Sequence, residues 1–380
     1  MTNVFLYGSL RHPELLELVT GESVSTLAPV LARLDGYRVV WAKGHGFPLI
    51  EARVGAQSEG VLLRAVSEDV LARLNHYELS FGFVPQGVTV QSLTDGAPEA
   101  AQVYFPKPDV WQAGSAWSLD DWVRDFWPLT RHSAREVMGY FGVLSGEEVA
   151  ERFKMILTRA MANVLAEEED VPTRLRSDMG RDCVKVTTEV TGHAGYFVLK
   201  TLHLRHRRFD GVLSDEMQRE VFIAGEAATV LPYDPRRDRV LLIEQFRAGP
   251  YVRGDKHPWT LEPIAGRIDA FEDAATAVHR EADEEAGVTL RSLEPIARFY
   301  ATPGYSSEML HSFIGITDLP DSAAGLGGMA DEQEDIRSHV LSFAEAMRLI
   351  ETGEANYGPL ILSLLWLARE RERLRAAAGM

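Results

Sequence analysis

The chain of 380 residues has a single cysteine, Cys183, so no intrachain disulfide can staple it. That scarcity fits a reducing, cytoplasmic setting, and Cys183 is read as a passive small side chain. Basic residues are also in deficit, with 39 Lys and Arg against 56 Asp and Glu and a net charge of −17. Nucleic-acid binding relies on clustered Lys and Arg, so a nucleic-acid partner is not expected. An anionic small molecule stays admissible, because a bound cation reverses the local field. No uncharged apolar run approaches the ~20 residues of a membrane span. The apolar stretch 360–368 is short and leads into an Arg-Glu repeat, which suits an amphipathic C-terminal helix. No membrane partner is expected, and the start of the chain lacks the basic and long apolar segments of a signal peptide. A long internal repeat is also missing.

What is present is a globular composition, 46% hydrophobic and 25% charged. The length suggests two or three domains. Residues 1 to about 110 alternate short β-rich runs (Val4–Tyr7, Tyr37–Trp41, Gly60–Leu63, Val88–Ser92, Gln102–Phe105) with Gly and Pro. Many short strands with turn signals predict a small barrel-like or mixed sheet. Residues 117–167 read as helical, with Ser118 and Ser133 as N-caps and capping boxes at Ser133/Glu136 and Ser145/Glu148. The run Glu167–Asp170 followed by Pro172 reads as an exposed linker.

Beyond it the chain is β-rich again. Strands are expected at Val184–Val190, Tyr196–Arg205, Glu220–Ile223, Ile296–Tyr300, Leu310–Ile316 and Ile336–Ser342. A hairpin joins Ala227–Tyr233 to Arg239–Gln245, a Gly-rich loop lies at 324–328, and two helices close the chain. The fold class is therefore α/β (α+β) in two domains. The expected boundaries are 1–112 for the first domain, 113–178 for a helical extension and acidic linker, and 179–380 for the second domain.

Residues 266–288 carry the densest information. Gly266 and Glu272 precede Arg280-Glu281, Glu284-Glu285 and Gly287-Val288. On a helix, Glu281, Glu284 and Glu285 stand at i, i+3 and i+4 and share a face. Three carboxylates there repel one another unless a cation sits among them, and hard divalent cations bridge carboxylates to phosphates. Ala275, Val278 and Ala282 form an apolar stripe, Arg280 can brace Glu284 from behind, and Gly287 ends the helix. A merely solvated acidic helix needs no such fixed glycines or Arg-Glu pair.

This segment resembles the Nudix box of hydrolases that cleave a nucleoside diphosphate linked to another group. The resemblance implies a mixed sheet between helices, an α/β/α sandwich, with Mg²⁺ or Mn²⁺ as cofactor. It implies Glu281 and Glu285 as main metal ligands, Glu284 as a further ligand or supporting group, and the carbonyl of Ala265 as one more oxygen. Residues 226–247 and Pro258-Trp259-Thr260-Leu261-Glu262 are similar to the ADP-ribose pyrophosphatase type, as is Pro303 in Ala-Thr-Pro-Gly-Tyr-Ser-Ser-Glu. That likeness covers roughly residues 182–370. It implies Glu332 of the loop Asp331–Asp335 as the water-activating base and Glu334 as an extra ligand. Arg247 is a candidate for a phosphate or terminal ribose and Glu262 for a ribose hydroxyl or adenine edge; an ion pair is the other reading of each. The resemblance also implies a homodimer. The expected chemistry is metal-dependent hydrolysis of ADP-ribose to AMP and ribose 5-phosphate. Another nucleoside diphosphate sugar as substrate, or a non-catalytic ADP-ribose sensor, are the alternatives.

Near the start, the strand Val4–Tyr7 ends in Tyr7-Gly8-Ser9-Leu10, where glycine allows a ligand to come close and the following N–H groups could hold an anion. With Glu78 in Leu74-Asn75-His76-Tyr77-Glu78, this resembles the γ-glutamylcyclotransferase-like fold over residues 3 to about 107. The resemblance implies a substrate site at Tyr7–Leu10 and Glu78 as the proton carrier in forming 5-oxoproline. The chain departs from the family pattern at Leu79, Phe81 and Phe83, which leaves a binding module or oligomerisation scaffold as the alternative. The fusion is similar to Nudix proteins associated with tellurite resistance, a phenotype that no residue explains.

Overall fold

The computed structural model describes residues 2–329 and 333–380. Two compact units divide at Pro172/Thr173. No described helix is long and apolar enough to cross a membrane.

The first unit is built on strands β1 (Thr2–Leu6), β2 (Val30–Ala42), β3 (Pro48–Val66), β4 (Phe83–Ser92), β5 (Pro98–Pro106) and β6 (Ala113–Ala116). Their order is β3-β1-β5-β4-β2-β6, and β2 also pairs with β3, so five strands close into a ring with β6 added on β2. Only the β1–β5 pairing is parallel. Closure leaves fewer edges to protect and encloses a core of Phe5, Ala32, Leu34, Ile50, Leu62, Val90 and Val103. The strands are longer than the short apolar runs suggest, because polar residues of β2 and β3 pair beyond the segment that faces the core.

Helices Pro13–Thr20, Glu68–Leu79, Trp127–Gly139 and Phe153–Glu168 belong to the same unit. Ser118 caps its helix and Ser145 with Glu148 forms a capping box, as their spacing predicts. Ser133 does not cap. Pro128 starts that helix early, at Trp127, so Ser133 lies in its interior and donates to the Thr130 carbonyl. Glu136, thereby released from capping, accepts from Arg159, which is 1% exposed, and from the Tyr140 hydroxyl at 2.8 Å.

The second unit opens with a three-stranded antiparallel sheet of β7 (Val184–Ala194), β8 (Val198–His206) and β9 (Met217–Ile223). The main sheet follows: β10 (Ala227–Asp234), β11 (Arg239–Phe246), β12 (Trp259–Glu262), β13 (Ile264–Arg267), β14 (Ser292–Tyr300), β15 (Met309–Ile316), β16 (Gly325–Gly327) and β17 (Ile336–Ser342). Its order is β14-β15-β10-β11-β17-β16, with β12 on β11 and β13 on β10; β10 and β15 run parallel, so the sheet is mixed. β10 and β11 are apolar on both faces and are buried on both. Ala228, Val230, Leu241 and Ile243 pack against the helix Ala274–Ala286. Leu231, Tyr233, Val240 and Leu242 pack against helices Phe343–Thr352 and Gly358–Ala377. The result is the expected α/β/α sandwich.

The Gly-rich segment 324–328, expected to be a loop, contains β16, which pairs with β17. The apolar stripe of the helix Ala274–Ala286 is also rotated from expectation. Ala277, Val278 and Ala282 are buried, whereas Ala275 is exposed. The buried face follows the i, i+4 rows 274–278–282 and 277–281–285, and residue 275 falls outside both.

The Arg159–Glu136 pair gives a test of the first unit. Arg159→Met leaves a largely buried carboxylate without its cation, which costs about 3–5 kcal/mol. Urea unfolding followed by tryptophan fluorescence reads this, since five of the seven tryptophans (41, 111, 117, 122 and 127) lie there.

Candidate active site

The hairpin β10–β11, the strand β13 and the helix Ala274–Ala286 build the site of the second unit. β13 pairs with β10, setting Ala265 opposite Thr229 and Gly266 opposite Ala228. The chain then loops through Glu272 to Asp273, which caps the helix by accepting from the Thr276 amide. Gly287 closes the helix in the left-handed region at φ 61°.

Arg280 ties loop to helix. Its Nη1 donates to Glu281 at 2.7 Å and Glu284 at 3.0 Å. Its Nε and Nη2 donate to the two oxygens of Glu272 at 3.1 and 3.0 Å, and Nη2 also to the Arg267 carbonyl at 3.0 Å. β13 crosses the helix so closely that a Cβ on Gly266 would stand 1.8 Å from Glu281 Oε1.

Behind this, Glu285 is 2% exposed and its Oε2 accepts the Ala265 amide at 3.2 Å. Burial first, then the charges of Glu281 and Glu334, push its carboxyl up to about 9. Burial also raises Glu281, with Arg280 opposing. Glu334 is half-buried; its carboxylate accepts the Met329 amide at 3.2 Å, and its backbone lies against Gly328. A Cβ on Gly327 would stand 2.1 Å from the Glu285 carbonyl, so β16 is what brings the 333–335 loop to the acidic helix. Glu332 lies outside the described residues.

Among the described residues no three acidic, His or Cys side chains already stand at metal-holding distances. The donor set nevertheless fits a hard divalent cation. Glu281, Glu285 and Glu334 are oxygen donors; Glu334 raises the proton affinity of the other two and Glu281 that of Glu285, and a cation among them removes that repulsion.

A second group adjoins them. Arg247 forms a two-pronged ion pair with Glu262, which is 2% exposed, at 2.8 and 2.6 Å, and Thr260 donates to the same carboxylate at 2.5 Å. The β11–β12 pairing sets this geometry. Arg247 also acts on Glu285 and on Glu308, whose carboxyl burial holds above the ordinary range. Burial and Glu262 raise the Tyr357 hydroxyl in the same neighbourhood. Glu308 and Tyr357 carried no sequence assignment, although Glu308 ends the Pro303 motif. Pro303 is exposed in a turn in which the Ser306 amide donates to the Thr302 carbonyl. Ser307 fixes the turn by accepting from the Ala224 amide at 2.9 Å and donating to its carbonyl at 3.1 Å.

In the first unit, Tyr7 is buried and donates to the Tyr104 carbonyl at 2.9 Å; Leu10 is also buried, and Ser9 is half-buried. A Cβ on Gly8 would stand 2.5 Å from the Pro48 ring, so only glycine fits. Glu78 occupies the last turn of the helix Glu68–Leu79. Burial pushes its carboxyl up to about 8, and its charge raises the Tyr7, Tyr77 and Tyr104 hydroxyls. The turn and the glutamate are therefore neighbours.

With this geometry established, comparison with known proteins decides the family. Residues 224–364 match the family model of the NUDIX domain. The ADP-ribose pyrophosphatase of Escherichia coli (strain K12) is 38% identical over 204 residues, covering 54% of this chain and 97% of that protein. The chain belongs to the Nudix family. It is a Nudix hydrolase whose residues 4–124 match the model of gamma-glutamyl cyclotransferase, AIG2-like. The ADP-ribose pyrophosphatase of Haemophilus influenzae is 35% identical over 48% of this chain and 85% of that protein. A GDP-mannose pyrophosphatase of Escherichia coli (strain SMS-3-5) is 33% identical over 45% and 88%. Among solved structures, one titled as an ADP compounds hydrolase aligns with a TM-score of 0.41 at 20% identity, over 50% of this chain and 96% of that one.

The raised Glu285 of this Nudix hydrolase gives a pH test. Between its ordinary 4.5 and about 9, the folded chain holds a proton that the unfolded chain has released. Stability from this group is intact below 4.5 and is lost as pH rises towards 9, by up to about 1.4 kcal/mol per pH unit. In chelator-treated buffer, Glu285→Gln flattens this slope and is the more stable protein at pH 8. Thermal unfolding from pH 5 to 9 checks it, and parallel slopes for parent and variant would contradict it.

Proposed function

We propose that the second unit hydrolyses the diphosphate of ADP-ribose to AMP and ribose 5-phosphate, with Mg²⁺ or Mn²⁺. The observation that carries this reading is the pairing of an intact Nudix box with the Arg247–Glu262–Glu308 group beside buried Glu285. Similarity to two ADP-ribose pyrophosphatases supports the choice of substrate.

Glu281 and Glu285 would hold the cation, with Glu334, Glu284 and the Ala265 carbonyl as further oxygens. When bound, the cation neutralises diphosphate oxygens and makes water a better nucleophile. Arg280 holds Glu281 and Glu284 in place and keeps the Glu272 loop closed against them. Arg247, fixed by Glu262, faces the diphosphate or the terminal ribose, and Glu262 a ribose hydroxyl. Pro303 shapes the turn that delivers Glu308. The water-activating carboxylate comes from the 331–335 loop, with Glu332 assigned by motif. Proton removal by such a group is needed because neutral water attacks phosphorus poorly.

Another nucleoside diphosphate sugar is the second reading, favoured by the likeness to a GDP-mannose pyrophosphatase. For the first unit we infer a γ-glutamyl cyclotransferase-type reaction. Its support is the half-buried Glu78, whose carboxyl is raised, beside the Tyr7–Leu10 turn.

Product analysis with Mg²⁺ and a panel of ADP-ribose, ADP-glucose, GDP-mannose and NADH tests the main reading. AMP and ribose 5-phosphate are expected preferentially from ADP-ribose, with Glu285→Gln slowing turnover at least about a hundredfold. Preference for another diphosphate keeps the chemistry and discards the substrate. ADP-ribose binding without turnover favours a sensor.

We also infer a homodimer in the cytoplasm. β7 is exposed along nearly its whole length, and Val186, Val190, Phe197, Phe222 and Trp259 show large apolar surface. Patches of that kind mark interfaces. Light scattering should report twice the chain mass, and Val186→Glu with Val190→Glu should shift it towards the monomer.

A further inference from the structure

The N-terminal unit places a band of aromatic rings between the Tyr7–Leu10 turn and Glu78. It starts at Pro48, the residue that forbids a side chain on Gly8. Phe47, next in the chain, packs 4.9 Å from Trp111 and 6.0 Å from Phe81, centroid to centroid. His45 stands edge-on to Trp111 at 4.8 Å. The Phe81 ring lies 5.0 Å from Tyr77, the residue before Glu78, and the Phe81 amide donates to the Glu78 carbonyl at 3.1 Å. The band thus runs from one candidate element to the other.

Its exposure is not that of a core. Phe47, Phe81 and Trp111 are half-buried and His45 is exposed. The Trp111 indole N–H is already spent on the Phe81 carbonyl at 2.9 Å, so the exposed part of the ring offers a ligand only apolar contact. The nearby Lys107 ammonium turns to Glu147 at 3.7 Å. At the end of the band, the Glu78 carboxyl has no hydrogen-bond or ion-pair partner among the described residues. An unpartnered acid beside a half-open aromatic wall is an arrangement for a ligand with one polar, reacting end and one apolar end.

We propose that this wall receives the amine half of a γ-glutamyl amide whose amine carries an aromatic or bulky apolar group, and that Phe47, Phe81 and Trp111 set this specificity. The inference rests on the reading of Glu78 as a proton carrier. In that reaction the α-amino nitrogen bonds to the side-chain Cδ, and the Cδ–N amide bond breaks. Glu78 takes a proton from the attacking amine and returns one to the departing amine. The products are 5-oxoproline and the free amine, and no co-reactant is consumed. The departing half must lie outside the glutamate's pocket, and beyond buried Tyr77 the half-exposed rings next along from Glu78 are those of this wall. The family-pattern departures at Phe81 and Phe83 fall at the same place. Phe83 is buried behind Phe47, at 6.1 Å.

The test uses the full-length protein and 5-oxoproline release from γ-glutamyl-phenethylamine, γ-glutamyl-phenylalanine, γ-glutamyl-ethylamine and γ-glutamyl-alanine. The two aromatic amides should exceed the two small ones in kcat/KM by about tenfold or more, the scale of an apolar pocket's discrimination. Trp111→Ala and, independently, Phe47→Ala should compress that ratio about tenfold, and Trp111→Phe should restore most of it, which separates lost specificity from lost folding. Equal turnover of small and aromatic amides by the parent, or an unchanged ratio in both alanine variants, overturns the inference and leaves the Glu78 reading intact. Absence of release from all four amides, or release undiminished in Glu78→Gln, overturns the Glu78 reading and the inference with it.

Discussion

The second unit's site depends on one guanidinium. Arg280 binds three carboxylates and a carbonyl, and those groups come from both the loop and the helix of the Nudix box. A planar fork with several donors can serve Glu272 on one edge and Glu281 with Glu284 on the other, which an ammonium cannot do at once. Without that charge, Glu281 and Glu284 would stand one helical turn apart with nothing between them, and the loop would have no reason to press on the helix. Glycine is demanded at 266 because β13, pinned to β10 and tied to the helix through the Arg267 carbonyl, passes Glu281 too closely for a Cβ. Arg280 faces outward, so it steadies Glu281 and Glu284 without relieving Glu285, whose carboxyl remains raised. On the proposed reading, the inner side of the cluster is where a cation would sit.

The sheet makes this closeness sustainable. β10 and β11 are buried on both faces, so neither can shift without disturbing two layers of packing. β13 hangs on β10 and β12 on β11, so Ala265, Gly266 and Glu262 inherit the position of the two most constrained strands. The acidic helix, the Arg247–Glu262 pair and the Glu334 loop thus share one rigid reference.

Sequence reading recovered the elements that repeat locally and missed what distant pairing decides. The i, i+3, i+4 acidic face and the terminal glycine of the box are helical periodicities, visible in a short window. The capping boxes at Ser145 and Ser342 are equally local, although only the first was singled out. Ser133 misled because its Ser-x-x-Glu spacing is correct while Pro128 had already begun the helix. Gly325–Gly327 reads as a loop by composition and becomes a strand because β17 supplies a partner. Glu308 was unassigned because its placement is fixed by Ser307 gripping Ala224, a contact across 83 residues. The Arg247–Glu262 pair lay between two readings for the same reason: which of the two an Arg meets depends on strand register, which no short segment reveals.

Two carboxyls raised by burial of the acid group, half-buried Glu78 and buried Glu285, show how one kind of group can be prepared for opposite partners. Both are pushed far above the ordinary range, but the causes differ. Glu285 is raised by burial and also by other carboxylates, so protonation leaves the acids around it charged and crowded. Only a cation of more than one charge can settle Glu281, Glu285 and Glu334 together. Glu78 is raised by burial alone, with tyrosine hydroxyls as its neighbours. One proton satisfies it, and an amine that brings a proton satisfies it equally well. The first arrangement suits a substrate rich in negative charge, the second one that presents an amine. On the proposed reading of the two units, the same side chain suits metal-assisted or metal-free chemistry according to whether its nearest neighbours are charged.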